Sequence, residues 1–308
     1  MNLNNCKSYY DVESLKGFSI AGIADVKRAT EPRLMNSDKY SHGTILIIGG
    51  NANYRSAPLH AAFSAYSALA ASRIGAGYVT IAGPEEVIRL ALSLSYGPVV
   101  RVLKGKRGDL ETIKGVKHNT LVIGPGYDVP ETHSNKTFVK SVIRFEKGSG
   151  NIVIADASVL KFFKNDKDLF WKNLIITPHI GEYGKLTGTD LKNAPLPEKI
   201  RSAVSFAKEH GCTVLLKGNN TVITDGKRVK VIKAKTPALA VQGTGDVLCG
   251  IIAGYASMHR DPFESAVAAA YVHAKIGDEL YKNKGLHIVA KDLTEALPDV
   301  LKRFDRIK

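Results

Sequence analysis

Along this chain, short apolar runs rich in β-branched residues alternate with longer stretches whose apolar positions recur at helical spacing. The strand-like runs are TILIIGG (44–50), YVTIAG (78–83), VVRVL (99–103), TLVIGPG (120–126), NIVIADA (151–157), NLIITP (173–178) and TVLLKG (213–218). They show little polar alternation, the pattern of strands covered on both faces. Between them lie APLHAAFSAYSALAASRIGAG, small and apolar on nearly all faces, and PEKIRSAVSFAKEHG (197–211), amphipathic and stopped by glycine. After Lys217 the period changes. TVITDGKRVKVIKA predicts a hairpin turning at Asp225-Gly226, and helices follow over 246–258, about 262–282 and from about 291. This order predicts an α/β fold: a doubly wound, mostly parallel sheet with helices on both faces. Residues 1–40 lack the alternation; VESLKGFSIAGIADVKRATEPRL holds a short helix and a loop closing at Glu31-Pro32. They read as an N-terminal extension packed on a domain that spans 41–308.

Composition narrows the class. Apolar residues make up 44% and charged residues 23% of 308, an ordinary globular balance. No apolar run approaches the length of a membrane span, and the polar start MNLNNCKSYYDVE does not read as a secretory signal. Cys6, Cys212 and Cys249 are odd in number and form no CxxC pair. That argues against a disulfide framework or a structural zinc site, and fits a reducing cytosol. The net charge of +14 gathers in KGKR (104–107), KRVKVIKAK (227–235) and the tail LKRFDRIK. The tail reads as solvated surface. The other clusters read either as surface or as attraction for an anionic small molecule such as a nucleotide. The basic residues are interspersed with acids and no aromatic-basic module occurs, so nucleic acid is not the expected partner.

In doubly wound folds, ligands bind beyond the carboxyl ends of the strands, and the glycines cluster there: Gly49-Gly50, Gly124-Pro125-Gly126, Gly181, Gly218 and Gly243-Thr244-Gly245. No GxxxxGK[ST] loop, correctly placed GxGxxG, HExxH or GxSxG occurs, which weakens P-loop, dehydrogenase, zincin and hydrolase readings. In GTGDVLCG (243–250), Gly243 and Gly245 let backbone N–H groups approach an anion, and Asp246 opens an apolar helix. Asp246 is either a helix cap or a base that takes a proton from a hydroxyl; the two glycines favour the base. The helix end is expected to favour its ionised form. In ITPHIGEYGKL, His179 and Glu182 stand three apart, as capping residues or as a polar ligand wall. Lys217 to Thr221 form either a turn with an exposed lysine or a phosphate contact. Ala57-Pro58 opens a small-residue helix on which a flat ring could lie, or is plain helix entry. Asp156 ends a strand, as a cap or as a group orienting a hydroxyl or metal-bound water.

Taken in order, these segments resemble the ribokinase-like superfamily, and within it the NAD(P)H-hydrate dehydratase family. The segments are Gly49-Gly50, Ser56-Ala57-Pro58, Gly75-Ala76-Gly77, Gly124-Pro125-Gly126, Ala155-Asp156-Ala157, TPHIGE (177–182), KGNNT (217–221) and GTGDVLCGII (243–252). The match covers about residues 40–300, and TPHxGE with GTGDVLxG is its most specific part. Ser56, Ile180 and Thr244 stand where the family has Gly, Pro and Ser. The extension is too short for the epimerase domain that many archaeal and bacterial members carry.

The resemblance implies repair of hydrated NADH and NADPH. The hydroxyl at C6 of the nicotinamide is phosphorylated, phosphate leaves and the double bond returns. ADP is the expected donor, with ATP the eukaryotic alternative. It implies Asp246 as base, Gly243, Thr244 and Gly245 as anion hole, and Ala57, Gly124, Gly126 and His179 around the hydrated dinucleotide. Lys217, Gly218, Asn219, Asn220, Thr221 and Gly245 would hold the nucleotide. Mg²⁺ would arrive with the phosphates, Glu182 meeting it through water. A cytoplasmic homo-oligomer, in this family a tetramer, is expected, with no nucleic-acid or membrane partner. A thiazole, pyrimidine or sugar kinase of the same superfamily would share the fold and Asp246. The third alternative is a non-catalytic nucleotide-binding protein.

Overall fold

The computed structural model describes residues 18–50, 62–94, 97–105 and 108–308, and the side chains of Ala62 and Leu94 also lie outside that description. Its strands are β1 (Ser19–Ile20), β2 (Thr44–Ile48), β3 (Tyr78–Gly83), β4 (Val99–Val102), β5 (Thr120–Ile123), β6 (Ile152–Ala155), β7 (Leu174–Ile176), β8 (Thr213–Leu216), β9 (Asn220–Thr224) and β10 (Val229–Lys233). The helices are α1 (Ile23–Ala29), α2 (Ala62–Ile74), α3 (Glu85–Leu94), α4 (Gly108–Lys114), α5 (His133–Ser149), α6 (Ile180–Thr187), α7 (Leu196–His210), α8 (Thr244–His259), α9 (Pro262–Lys284) and α10 (Ala290–Leu301). All seven strand-like runs form strands. The hairpin turns where expected, β9 pairing antiparallel with both β8 and β10.

One sheet runs β1-β10-β9-β8-β7-β6-β5-β2-β3-β4, parallel except at β9. The strands are apolar throughout because alternate residues enter different cores. Ile45 and Ile47 pack with α2, α8 and α9, whereas Leu46 and Ile48 pack with α5, α6 and α7. The described part of the N-terminal segment contributes more than the short helix. Ser19 and Ile20 form an edge strand parallel to β10, and α1 packs on α9. Two residues are too few for a periodic signal, so only the helix was legible there.

The chain winds from β2 out to β4, then returns to β5 beside β2 and continues to β8. The direction changes between β2 and β5, which opens a crevice at their carboxyl ends. Helix α8 is drawn tightly onto α2. A Cβ on Gly250 would stand 2.2 Å from the Ser67 carbonyl oxygen, and one on Gly254 2.5 Å from the Ile74 Cβ. Ser67 also donates to the Asp246 carbonyl at 2.7 Å. The apolar middle of α8 thus fixes where its first turn stands.

Candidate functional site

A cavity of about 300 Å³ opens at the strand ends beside the first turn of α8. Asp246, Gly245, Lys217, Gly124 and Gly126 line it, as do Asp156, Glu182, Tyr127, Asp128 and Ser158. Gly243 adopts φ +85° as the residue before α8, a left-handed conformation that glycine accepts without strain. The N–H groups of residues 244–246 fall in the first helical turn and have no intrahelical partner. The Thr244 hydroxyl turns inward and donates to the carbonyls of Leu239 at 2.8 Å and Val241 at 3.0 Å. Its own carbonyl meets Nε2 of the part-buried His273 at 2.9 Å. Thr244 therefore contributes backbone to the turn and uses its side chain as a brace.

Lys217 follows β8, where its N–H donates to the Pro178 carbonyl at 2.8 Å. Its side chain is not the exposed turn lysine. With 21% of its surface exposed, it donates from Nζ to Asp156 Oδ1 at 2.7 Å and lies 3.9 Å from Glu182 Oε2. Asp156, 4% exposed, also accepts the Thr177 hydroxyl at 2.7 Å. It precedes a 3-10 turn (Ala157–Phe163) but makes no capping bond with its side chain. Ala157 beside it takes φ +54°, and a Cβ on Gly124 would stand 2.1 Å from the Asp156 carbonyl oxygen. The backbone at Asp156 is thus held from both sides.

Burial sets the proton affinities here, modified by neighbouring charge. It pushes the Asp246 carboxyl up to about 7, Asp156 adding to the rise and Lys217 partly opposing it. This corrects the expectation that the helix end would keep Asp246 ionised: desolvation and a second acid outweigh the dipole. Burial would also raise Asp156, but the Lys217 ammonium, with bonds from Lys217, Thr177 and Cys249, holds it below the usual range. Burial works against the charged Lys217, yet Asp156 and Glu182 more than offset it and keep the ammonium protonated. Glu182 is raised, chiefly by burial, against the pull of Lys217.

His179 and Glu182 form a reciprocal cap on α6. His179 Nδ1 accepts from the N–H groups of Gly181 at 3.0 Å and Glu182 at 3.2 Å, and Glu182 Oε2 accepts from the His179 N–H at 2.8 Å. Because Nδ1 accepts, the proton of the neutral ring belongs on Nε2. The His179 side chain is 60% exposed and lies outside the cavity wall, whereas Glu182 lines it. Gly218, Asn219, Asn220 and Thr221 also stand outside the wall. There Asn219 Oδ1 accepts the Asn220 N–H, and the Thr221 hydroxyl donates to the Gly218 carbonyl. Ala57 lies outside the described residues.

Residue patterns did not assign Thr177 or Cys249, and left Asp156 between two roles. Thr177 belongs to the TPHIGE segment, so its motif was visible while its partner was not. Cys249 is on the buried face of α8, 3.8 Å from the Thr177 hydroxyl, and one apolar helix position among many gives no local signal.

The family described as NAD(P)H-hydrate dehydratase matches residues 45–299. The chain is 33% identical over 293 residues to the ADP-dependent (S)-NAD(P)H-hydrate dehydratase of Cenarchaeum symbiosum, covering 93% of this chain and 98% of that protein. It is 34% identical over 290 residues to the bifunctional NAD(P)H-hydrate repair enzyme Nnr of Pyrobaculum aerophilum, covering 92% of this chain but 56% of that one. This chain therefore spans little more than half of the bifunctional relative. Among solved structures, a ribokinase-like superfamily protein of Enterococcus faecalis superposes with a TM-score of 0.80 at 23% identity, over 95% of this chain and 98% of that one. That likeness concerns the fold alone. The ADP/ATP-dependent NAD(P)H-hydrate dehydratase of Bacillus subtilis, co-crystallised with ATP/Mg²⁺, gives 0.73 at 27% identity, over 91% of this chain and 96% of that one. With the ribokinase-like sheet, the glycine turn and Asp246 in place, the chain belongs to the NAD(P)H-hydrate dehydratase family.

Proposed function

We propose that this chain is an ADP-dependent (S)-NAD(P)H-hydrate dehydratase. The observation that carries this reading is Asp246, a carboxylate with a proton affinity near neutrality, in the first turn of α8 on the cavity wall. A base poised there can accept the proton of the C6 hydroxyl as its oxygen attacks the terminal phosphorus of ADP. The bond to the leaving AMP breaks while the N–H groups of residues 244–246 and the Lys217 ammonium face the charge on the transferring group. The C6–O bond of the phosphate ester then breaks, inorganic phosphate departs with the electron pair, and loss of the C5 proton restores the ring double bond.

Gly124 and Gly126 offer a wall without side chains for the nicotinamide end, and the exposed His179, its Nε2 3.5 Å from Glu182 Oε1, can donate to the dinucleotide. Lys217 and Gly245 hold the transferring end of the nucleotide, with Gly218 to Thr221 meeting its outer part. The family resemblance assigns Ala57, which lies outside the described residues, to the dinucleotide as well. Among the described residues no group of three His, Cys, Asp or Glu side chains is placed to hold a metal ion. Glu182 on the cavity wall suits Mg²⁺ that arrives with the nucleotide phosphates and keeps most of its water. Such an ion neutralises phosphate charge when bound. We further place the protein in the cytoplasm as a homotetramer; among the described residues no helix is long and apolar enough to cross a membrane.

The test is a turnover assay with hydrated NADH or NADPH and either ADP or ATP, followed by the returning absorbance of the reduced nicotinamide. ADP should support turnover better than ATP. A stable phosphorylated thiazole or pyrimidine alcohol, with no reduced nicotinamide regained, would establish the kinase alternative instead. Nucleotide binding without any turnover would establish the binding protein.

A further inference from the structure

The cavity holds an acid that the proposed reaction does not use. Asp156 lines it with Asp246, Glu182 and Asp128, four carboxylates around one ammonium, that of Lys217. An asparagine would still accept the Thr177 hydroxyl and would not repel Asp246. A buried carboxylate at that place is costly unless its charge has a task.

The task is visible in where Lys217 points. A lysine leaving β8 on a four-carbon stem can reach either acid beside the glycine turn. Its Nζ sits 2.7 Å from Asp156 Oδ1 and 3.9 Å from Glu182 Oε2, and among the described residues no ion pair joins it to Asp246. A Cβ on Gly245 would lie 3.6 Å from that Nζ, so the ammonium rests against the turn itself. Thr177 holds the same Asp156 oxygen from the other side.

We propose that Asp156 is a positioning residue that draws the Lys217 ammonium onto itself and against Gly245, and so keeps Asp246 free of a cationic partner. This rests on the reading of Asp246 as the base. A base paired with an ammonium would lose its affinity for the proton it must take. Asp246 instead faces Asp156 from β6 and Glu182 from α6, which raise its affinity, and Lys217 from β8, which lowers it from a distance. Asp156 thereby lets one site hold a cation for the phosphoryl group and an unneutralised base for the hydroxyl.

The test follows the carboxyl ¹³C signal of Asp246 against pH, in protein labelled at aspartate and assigned by the resonance lost in Asp246→Asn. In Asp156→Asn the released ammonium turns to Asp246, and the midpoint moves down by about one pH unit or more. In the Asp156→Asn/Lys217→Met double variant, charge-balanced and so able to fold if the single change is not, the midpoint returns to within about half a unit of the parent. The acid limb of kcat/KM should move in the same pattern. A midpoint unchanged in the single variant overturns the proposal. So does a double variant shifted as far as the single one, because Asp156 would then act through its own charge and not through Lys217. The titration needs no turnover, so an inactive parent protein would overturn the assigned reaction and leave the placement of the ammonium to be decided by the resonance.

Discussion

Asp246 combines two properties that conflict in most carboxylates: it lies in a helix's first turn, and it holds its proton to about pH 7. Above that pH both states carry the Asp246 charge, but the folded state holds it partly buried and without a cationic partner, whereas the unfolded chain holds it in water. Asp246→Asn should therefore abolish turnover and also stabilise the fold at pH 8, by on the order of 2 kcal/mol, read as a rise in Tm beside a nucleotide Kd within about threefold of the parent. A fall in Tm would mean the carboxylate is structurally required and not held at a cost for chemistry. His179 separates in the opposite sense. Asparagine at that position still caps α6, because it is a strong capping residue, but removes the Nε2 donor. His179→Asn should keep the parent Tm and raise KM for the hydrated dinucleotide about tenfold or more, whereas His179→Ala should also lose about 1 kcal/mol of stability. Equal KM values for parent and Asn variant would restrict His179 to capping.

At the scale of elements, α8 connects packing to chemistry. Its first turn is fixed by Gly250 and Gly254 against α2, by the Ser67 bond to the Asp246 carbonyl and by Thr244 tied back to Leu239 and Val241. Thr244→Val keeps the shape but leaves both carbonyls without that donor, at a cost of about 1–3 kcal/mol. Thr244→Ser retains the hydroxyl and should recover nearly all of it in a denaturant titration. Turnover should fall in the valine variant and recover with serine, because the N–H groups of residues 244–246 move with the brace. The helix itself was legible in the sequence: two glycines, an acid and an apolar run announce a helix start near an anion site. Its packing partner was not legible, since nothing local in CGIIAG says that Gly250 meets Ser67. Strands β2 to β8 were legible because each is an apolar run ended by glycine, proline or a polar residue. The edge strand β1 is two residues long and is defined by β10, more than two hundred positions away.

Across the whole molecule, the parallel sheet assembles what no local segment contains. Asp156, Thr177 and Lys217 follow β6, β7 and β8, three neighbours in the sheet, so residues 61 apart in sequence meet at 2.7 Å. Each residue type was visible, but the pair was not, because strand order and not spacing creates it. The same assembly leaves two part-buried groups at one helix mouth with opposite effects on acid stability. Burial lowers His273 to about 4, below its ordinary 6.5, while its bond to the Thr244 carbonyl partly opposes this. As pH falls from 6.5 towards 4, the unfolded chain takes up a proton on this histidine that the folded chain refuses, so stability falls. Asp246 works in reverse: its folded proton affinity is raised from 3.8 to about 7. Between those values the folded chain holds a proton the unfolded one lacks, so stability rises as pH falls. In the parent the two slopes oppose each other. Tm measured between pH 7.5 and about 4.5 should therefore decline more steeply with acid in Asp246→Asn than in the parent. It should decline less, or rise, in His273→Gln, whose amide can still donate to Thr244. All other titrating groups are common to the three proteins, so the differences isolate this pair. Parallel Tm curves for all three would show that neither group's proton affinity is shifted by folding, and would remove the physical basis for Asp246 as a base tuned near neutrality.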